Sequence, residues 1–340
     1  MTPFKEEINP ALVERLGSAI GTPLKVNDLD LLELKERVIA VSEALFSVLG
    51  DDWRSQLVEV FGGSDFGGIG GLQGWPILRV IEDHGLDDPE ASLEAIRRLT
   101  HVFSGEFAVR TYLCAEPDRS LSIIKGWTTS ESEHVRRLAS EGTRPRLPWG
   151  QRIPAFVQDP SALFPLLEPL LDDESEYVRR SVANHLNDIA KDHPDRLVEV
   201  VSAWARPSRM RLVKHALRSL VKAGHPGALE VVGVLPFAGS LLRFECAKAC
   251  VVGETIDFAI ELEAEQKLVI DYALHFQGAR GPGRRKVFKW TTRETRGRLE
   301  LARSHRMREV SVRKLYPGAH AVELLINGRS MGTRSFLLRR

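Results

Sequence analysis

The sequence of 340 residues has few cysteines, no long apolar run and almost no excess charge of either sign. Its three cysteines, Cys114, Cys246 and Cys250, are too few and too irregularly spaced for a disulfide framework. No apolar run approaches the roughly 18 residues that a membrane-spanning helix needs. The first seven residues carry acids and no apolar segment, so we expect no secretory signal. These absences predict a cytoplasmic bacterial protein without membrane association.

Signatures of several enzyme classes are also missing from the sequence. The glycine cluster at residues 61–74 contains neither GxGxxG nor a following Gly-Lys-Ser/Thr, which favours a flexible turn over a phosphate-binding loop. Cys246 and Cys250 have no accompanying Cys/His pair, so they indicate packing and no zinc site. No Ser/His/Asp order is visible, so the sequence does not predict a hydrolase of that type.

The balanced total charge conceals an asymmetry between the two parts of the chain. Residues 236–340 hold 20 Lys and Arg against 11 Asp and Glu, a net charge of +9, and residues 1–235 have a net charge of −8. A basic C-terminal part indicates a polyanionic partner, although a solvated basic surface is the ordinary alternative.

The hydrophobic period changes near residues 233–239. Before this point, apolar residues recur every three or four positions, as in residues 31–46, which predicts amphipathic helices. After it, residues 255–263 alternate with period two, and the turn Asn327-Gly328 separates two apolar runs as in a β-hairpin. We predict a mainly α helical-repeat domain at residues 1–235 and an all-β sandwich at residues 236–340.

The helical part contains an internal repeat of HEAT-like length. The string Pro117 to Arg137 recurs without a gap at Pro160 to Arg180, and a third copy starts at Pro194. A Ser or Asp before Val-Arg-Arg is predicted to cap each second helix. The first interval is nine residues longer than the second, and the extra residues fall in a Pro-interrupted basic loop at residues 143–152. Insertions in such stacks usually lie on one face and are often functional.

Charged residues recur at one position of the second helices. Arg137 and Glu141 share a helix face, Asn184 occupies the position equivalent to Glu141, and Asp188 follows one turn later. The segment from Arg206 to Lys222 holds six cations and no acid. A solvated helix face and a functional site are both consistent with this pattern.

Four strings resemble the AlkC branch of the AlkC/AlkD-like DNA alkylation-repair glycosylases. They are Ser104-Gly-Glu-Phe-Ala-Val-Arg110, Val135-Arg-Arg-Leu-Ala-Ser-Glu-Gly-Thr-Arg-Pro-Arg-Leu-Pro-Trp149, Tyr177-Val-Arg-Arg-Ser-Val-Ala-Asn-His-Leu-Asn-Asp-Ile-Ala-Lys191 and Lys214-His-Ala-Leu-Arg218. The strings at 269–276 and 316–320 resemble the immunoglobulin-like domain that some members carry. The resemblance implies a HEAT-like solenoid that removes N-alkylated bases without a metal or organic cofactor and without conventional base flipping. The AlkD branch has a Trp where Asn184 stands, which favours AlkC.

The resemblance also implies roles for individual residues. An N3-methylated adenine or cytosine is a cation and already a good leaving group, so the enzyme needs negative charge, a π face and a group that orients water. By resemblance, Glu106 and Asp188 are the main carboxylates, Glu141 and Asn184 are their neighbours, and Trp149 supplies the aromatic surface. Trp149 as a core residue and Glu106 as a helix-terminal acid are the structural alternatives.

The expected partner is double-stranded DNA that contains alkylated bases, bound by a monomer. The cations expected to contact DNA are Arg110, Arg137, Arg144, Arg146, Arg152, Arg179, Lys214, His215, Arg218, Arg284, Arg285 and Lys286. The last three are predicted to lie in an adaptable glycine-rich turn. The alternative function is a non-catalytic HEAT-repeat scaffold that binds nucleic acid or a protein. A glycosylase is preferred because a scaffold would not need carboxylates in its most basic groove. Monofunctional action is expected because no lysine is clearly placed for Schiff-base chemistry.

Overall fold

The computed structural model describes residues 3–63, 68–309 and 314–340, so residues 64–67 of the glycine cluster lie outside it. The chain divides into two compact units, one up to Asp192 and one from His193 onward. The last helix ends at Val231 and the first strand begins at Ser240. The prediction of a helical region followed by an all-β region is therefore confirmed.

The first unit is built from helices. Its helices are α1 (Pro10–Ile20), α2 (Leu34–Phe46), α3 (Trp53–Phe61), α4 (Trp75–His84), α5 (Pro89–Leu99), α6 (Val109–Ala115), α7 (Pro117–Lys125), α8 (Glu133–Gly142), α9 (Pro154–Gln158), α10 (Phe164–Leu167) and α11 (Glu176–Ile189). Prolines at the first or second position start α1, α4, α5, α7, α9 and α10, where the missing N–H costs nothing. No helix in the described ranges has both the length and the apolar composition to cross a membrane.

The sequence repeat appears as two similar helix pairs, α7 with α8 and α10 with α11, and α8 packs along α11. Ser132 and Ser175 are the N-cap residues, but neither side chain accepts a bond from its helix, so the predicted side-chain caps are wrong. Arg136 is the residue that secures this end of α8. Its guanidinium donates to the carbonyl oxygens of Ser130 and Glu131 and pairs with both carboxylate oxygens of Asp173, at 2.7 and 3.0 Å.

Among its described residues, the second unit combines four α-helices with eight strands. The helices are α12 (Pro194–Trp204), α13 (Met210–Ala216), α14 (Arg218–Ala223) and α15 (Pro226–Val231). The strands are β1 (Ser240–Cys246), β2 (Ala249–Val251), β3 (Thr255–Ala264), β4 (Lys267–Gly278), β5 (Gly281–Glu294), β6 (Gly297–Arg306), β7 (Gly318–Ile326) and β8 (Arg329–Arg339). They form one sheet in the order β1-β3-β6 and another in the order β2-β8-β7-β4-β5.

The two sheets enclose an apolar core, as alternating patterns predict for a sandwich. Phe258 of β3 contacts Tyr272 of β4 with ring centroids 4.9 Å apart. The predicted hairpin is confirmed, because Asn327 and Gly328 join β7 to β8 with φ angles of 46° and 75°. Positive φ at both positions is the backbone that Asn-Gly adopts readily in a two-residue hairpin.

The basic segment near residue 280 differs from its prediction as an adaptable turn. Gly278 pairs with Gly281, so only two residues form the turn between β4 and β5. Residues 284–286 lie on β5, at the edge of the larger sheet, and are exposed. Arg285 is further fixed by Glu323, whose carboxylate accepts from Arg285 Nε at 2.8 Å. The three cations therefore project from an edge strand that pairs with β4.

Candidate active site

Three carboxylates and three cations of the first unit form a continuous chain of ion pairs. In order, its members are Glu106, Arg137, Glu141, Arg144, Asp188 and Lys191. Opposite charges alternate along the whole chain, and positive and negative charges are equal in number. The chain joins the turn before α6, helix α8, the loop after α8 and helix α11. The sequence predicted four of these six residues to act close together.

Arg137 of α8 holds the Glu106 end of the chain. Its Nη1 lies 2.5 Å from Glu106 Oε2, and its Nη2 lies 3.6 Å from Glu141 Oε1, one helical turn further along α8. Ser104 also donates to Glu106 Oε2 at 2.7 Å. The ring of Tyr177 lies 5.2 Å from the guanidinium carbon of Arg137, a cation–π contact. Ser104 Oγ also accepts from Arg137 Nη1, so four neighbours fix the orientation of Arg137.

Arg144, in the loop after α8, holds the Asp188 end. Its guanidinium lies 2.5 Å from Glu141 Oε1 and 2.6 Å from Asp188 Oδ2, and Lys191 Nζ lies 2.7 Å from Asp188 Oδ1. Burial lowers the pKa of Arg144, but Glu141 and Asp188 outweigh this effect and the pKa is raised. Arg144 therefore stays charged, and both Asp188 oxygens are occupied.

The three carboxylates differ in what they offer to a ligand. The side chain of Glu106 is 15% exposed, compared with 8% for Glu141 and 4% for Asp188. The second oxygen of Glu106, Oε1, has no partner among the described residues. Glu141 uses its remaining oxygen to accept from Ser181 at 2.5 Å. Glu106 is therefore the carboxylate with an oxygen available for chemistry.

Trp149 is presented on the surface of the inserted loop, which is non-helical as predicted. The residue is 64% exposed, so the alternative of a core residue is wrong. Its φ of 64° lies in the left-handed region, which is rare for a bulky side chain and costs free energy. Trp149 lines a cavity of about 180 Å³ together with Trp75 and Phe107, the residue that follows Glu106. The exposed indole therefore lines the same cavity as the residue that follows Glu106 in sequence.

Arg110 of α6 anchors the inserted loop, residues 143–152, through hydrogen bonds to backbone carbonyl oxygens. The guanidinium is buried and donates to the carbonyl oxygens of Gly142 at 3.0 Å, Pro145 at 3.4 Å and Gln151. Burial lowers its pKa to about 10, so the group is still charged at neutral pH. In this position Arg110 shapes the loop that carries Trp149, and its contact with DNA stays a prediction.

The other cations predicted to contact DNA lie in different environments. Arg146 pairs with both oxygens of Asp192, at 2.6 and 2.7 Å. Arg179 donates to the carbonyl oxygens of Asp173 and Glu174, the turn before α11. Those that are exposed are Arg152, Lys214, Arg218, Arg284, Arg285 and Lys286. His215 on α13 and Asn184 on α11 are half-buried, and Asn184 stands one turn before Asp188. Their predicted roles are not tested by this geometry.

The sequence did not predict three residues that belong to the chain of ion pairs or contact it, namely Lys191, Tyr177 and Ser181. Lys191 stands three positions after Asp188, a spacing that brings side chains together on a helix and could have signalled the pair. Tyr177 directly precedes Val-Arg-Arg, and its ring contacts His134, the residue at the equivalent position of the previous repeat, at 5.9 Å. Because the two residues occupy equivalent positions in neighbouring repeats, the repeat alignment could have signalled their contact. Ser181 offered no comparable signal.

Comparisons with known proteins agree with this architecture. Residues 93–220 match the family described as DNA alkylation repair enzyme, and residues 242–340 match the C-terminal Ig-like domain of the uncharacterised protein YhaZ. The uncharacterized protein YhaZ of Bacillus subtilis (strain 168) is 37% identical over 324 residues, which cover 92% of this chain and 89% of that protein. The solved structure of Pseudomonas fluorescens alkylpurine DNA glycosylase AlkC bound to DNA containing an abasic site analog is 32% identical, with a TM-score of 0.87 over 100% of both chains. The chain therefore belongs to the DNA alkylation repair enzyme family and carries the YhaZ-type C-terminal Ig-like domain.

Proposed function

We propose that the protein is a DNA glycosylase that removes cationic N-alkylated bases, of the 3-methyladenine and 3-methylcytosine type, from duplex DNA. The observation that carries this proposal is the carboxylate of Glu106, with one oxygen held by Arg137 and Ser104 and the other without a partner in the described residues. Family membership and the likeness to a glycosylase solved with DNA support the choice of partner and reaction.

The reaction requires little acid catalysis. When the bond between C1′ and the alkylated base breaks, its electron pair neutralises the positive base, which leaves without a proton. Positive charge then develops on the sugar, where the carboxylate of Glu106 stabilises it. A water molecule adds its oxygen to C1′ and passes a proton to Glu106, which releases it to solvent. The products are a free base and an abasic site.

The remaining residues of the site position this carboxylate and the base. Arg137 orients the carboxylate of Glu106, and Glu141, Arg144 and Asp188 hold Arg137 through the chain of ion pairs. The exposed indole of Trp149 offers a π face to a cationic base. Because this indole stands on the surface, we place the base in the groove of the duplex, without full extrusion into a pocket.

The chemistry proposed for the site is hydrolysis without strand cleavage. A glycosylase with lyase activity needs an uncharged lysine that forms a Schiff base. The ammonium of Lys191, the lysine in the chain of ion pairs, is engaged by the Asp188 carboxylate at 2.7 Å. We therefore assign monofunctional action to this protein.

Incubation with methylated duplex DNA tests the proposal. The expected result is that abasic sites accumulate, and that the strand breaks only after alkali treatment. Breaks without alkali would contradict monofunctional action. Intact DNA after prolonged incubation, with the duplex still bound, would favour the non-catalytic scaffold.

A further inference from the structure

The second unit contains a cavity of about 440 Å³ with a strongly basic wall. The cations that line it are Lys214, Arg218, Lys222, Lys267 and Lys289, and they surround one carboxylate, that of Asp271. Helices α13 and α14 supply the first three cations, and β4 and β5 supply the rest. Four valines form the apolar part of the wall. All of these residues belong to the unit that starts at His193.

The charge in this wall is not balanced by its own residues. Burial raises the pKa of Asp271 to about 6, although Lys289 and Lys222 both act to lower it. With Asp271 ionised, the four lysines alone still leave a net charge of +3. Like charges that converge on a concave surface repel one another and focus a positive potential into the cavity. A ligand with negative charge would relieve this repulsion.

We propose that this cavity binds a phosphate ester. Arginine and lysine side chains together suit phosphate oxygens, and the valines suit the organic group that the phosphate carries. The volume lies within the range of roughly 300–1,000 Å³ that is common for small-molecule sites. The phosphate belongs either to a free nucleotide-sized molecule or to the backbone of DNA. The proposal does not depend on excision, because no residue of the chain of ion pairs lines the cavity.

Calorimetric titration of the full-length protein with AMP, and with adenosine as the uncharged probe, tests the proposal. We expect one AMP per chain, with adenosine bound at least thirtyfold more weakly. Changing both Lys222→Ala and Lys289→Ala should weaken AMP binding at least tenfold. Lys248→Ala removes an exposed lysine that does not line the cavity and should change the affinity less than twofold. Equal affinity for AMP and adenosine, or unchanged AMP affinity in the double variant, would overturn the proposal.

Competition identifies the source of the phosphate. Displacement of bound AMP by undamaged duplex DNA assigns the cavity to the DNA backbone, whereas simultaneous binding assigns it to a free phosphate ester. Both results require AMP to bind in the cavity, so both support the proposal. Excision is not measured, so failure here is distinct from failure of the glycosylase assignment.

Asp271→Asn provides a variant with the opposite expected effect. The substitution keeps the shape of the side chain and removes the negative charge, so AMP should bind five- to tenfold more tightly than to the wild type at pH 7.5. Below pH 5 the wild-type carboxyl is protonated, since its pKa is about 6, and the two affinities should converge. Comparing both proteins at the same pH cancels the titration of AMP itself. Equal affinities at pH 7.5 would show that the ligand does not lie beside Asp271.

Discussion

Replacing Glu106 by Gln removes one negative charge from the end of the chain of ion pairs and preserves the size of the side chain. Arg137 then loses its partner at 2.5 Å and retains Glu141 at 3.6 Å. Because both side chains are 15% exposed, water replaces part of the missing interaction. We expect the free energy of unfolding to fall by about 1–2 kcal/mol, near the low end of the range of about 1.5–3 kcal/mol for a hydrogen bond to a charged group.

The effect of Glu106→Gln on excision should be much larger. A positioned base or charge-stabilising group commonly contributes about 10²–10⁴-fold in rate. Single-turnover release of base from methylated duplex should therefore slow by at least about 100-fold. Affinity for undamaged duplex should stay equal or rise slightly, since the variant lacks a charge that repels phosphate.

The matched control is Glu141→Gln, which changes a carboxylate of the same chain that has no available oxygen. Its excision rate should fall less than that of Glu106→Gln, although its stability falls more because the carboxylate is more deeply buried. A folded Glu106→Gln variant that excises base within threefold of the wild-type rate would refute the assignment of Glu106 as the catalytic carboxylate.

Other variants separate stability from catalysis. Asp188→Asn should lower the free energy of unfolding by about 3–5 kcal/mol in chemical denaturation, because it leaves the buried Arg144 charge with one partner fewer; a decrease below 1 kcal/mol would contradict the described burial. Trp149→Gly relieves a left-handed φ that costs about 1–2 kcal/mol. The melting temperature should therefore stay equal or rise while the excision rate falls. A decrease in both the melting temperature and the excision rate would show that the indole has a structural role. Replacing residues 284–286 by Ala should flatten the slope of log affinity against log salt for duplex by about 0.9 unit for each phosphate that the variant no longer neutralises, whereas coincident lines would exclude binding of DNA by these residues. Burial acts to raise the pKa of Glu323, but hydrogen bonds from Arg285 and His275 lower it from 4.5 to about 2. The ionised carboxylate should therefore stabilise the fold above pH 4.5, and this contribution should disappear as the pH falls toward 2. In acid denaturation, Glu323→Gln should remove that part of the acid sensitivity.

The architecture was accessible from sequence because it depends on local patterns. The change of hydrophobic period near residue 235, the repeat of 43 residues and the Asn327-Gly328 turn each report a local backbone preference, and the structure confirms all three. The serine caps were predicted wrongly: Ser132 and Ser175 hold the N-cap positions, but neither hydroxyl accepts a bond from its helix, and that of Ser175 donates to Glu133 instead.

The site was accessible only in part. Repeat spacing brought Glu141, Arg137 and Asp188 together, but it did not distinguish the accessible carboxylate from the buried ones, since burial depends on packing between helices. The inserted arginine Arg144 was expected to face DNA, and the structure places it between two carboxylates. Charge pattern alone does not separate a cation that contacts solvent from one that neutralises a buried acid.

The most direct test of the central claim is the chemical identification of the released product. Duplex DNA that carries radiolabelled N-methylated bases should release free 3-methyladenine and 3-methylcytosine in stoichiometric excess over the protein, as separated by chromatography. N7-methylguanine in the same DNA serves as an internal comparison for selectivity. Release of labelled bases by the wild type, and at least 100-fold slower release by Glu106→Gln, is the predicted result. Retention of every labelled base in the duplex by a wild-type protein that binds it would contradict the account.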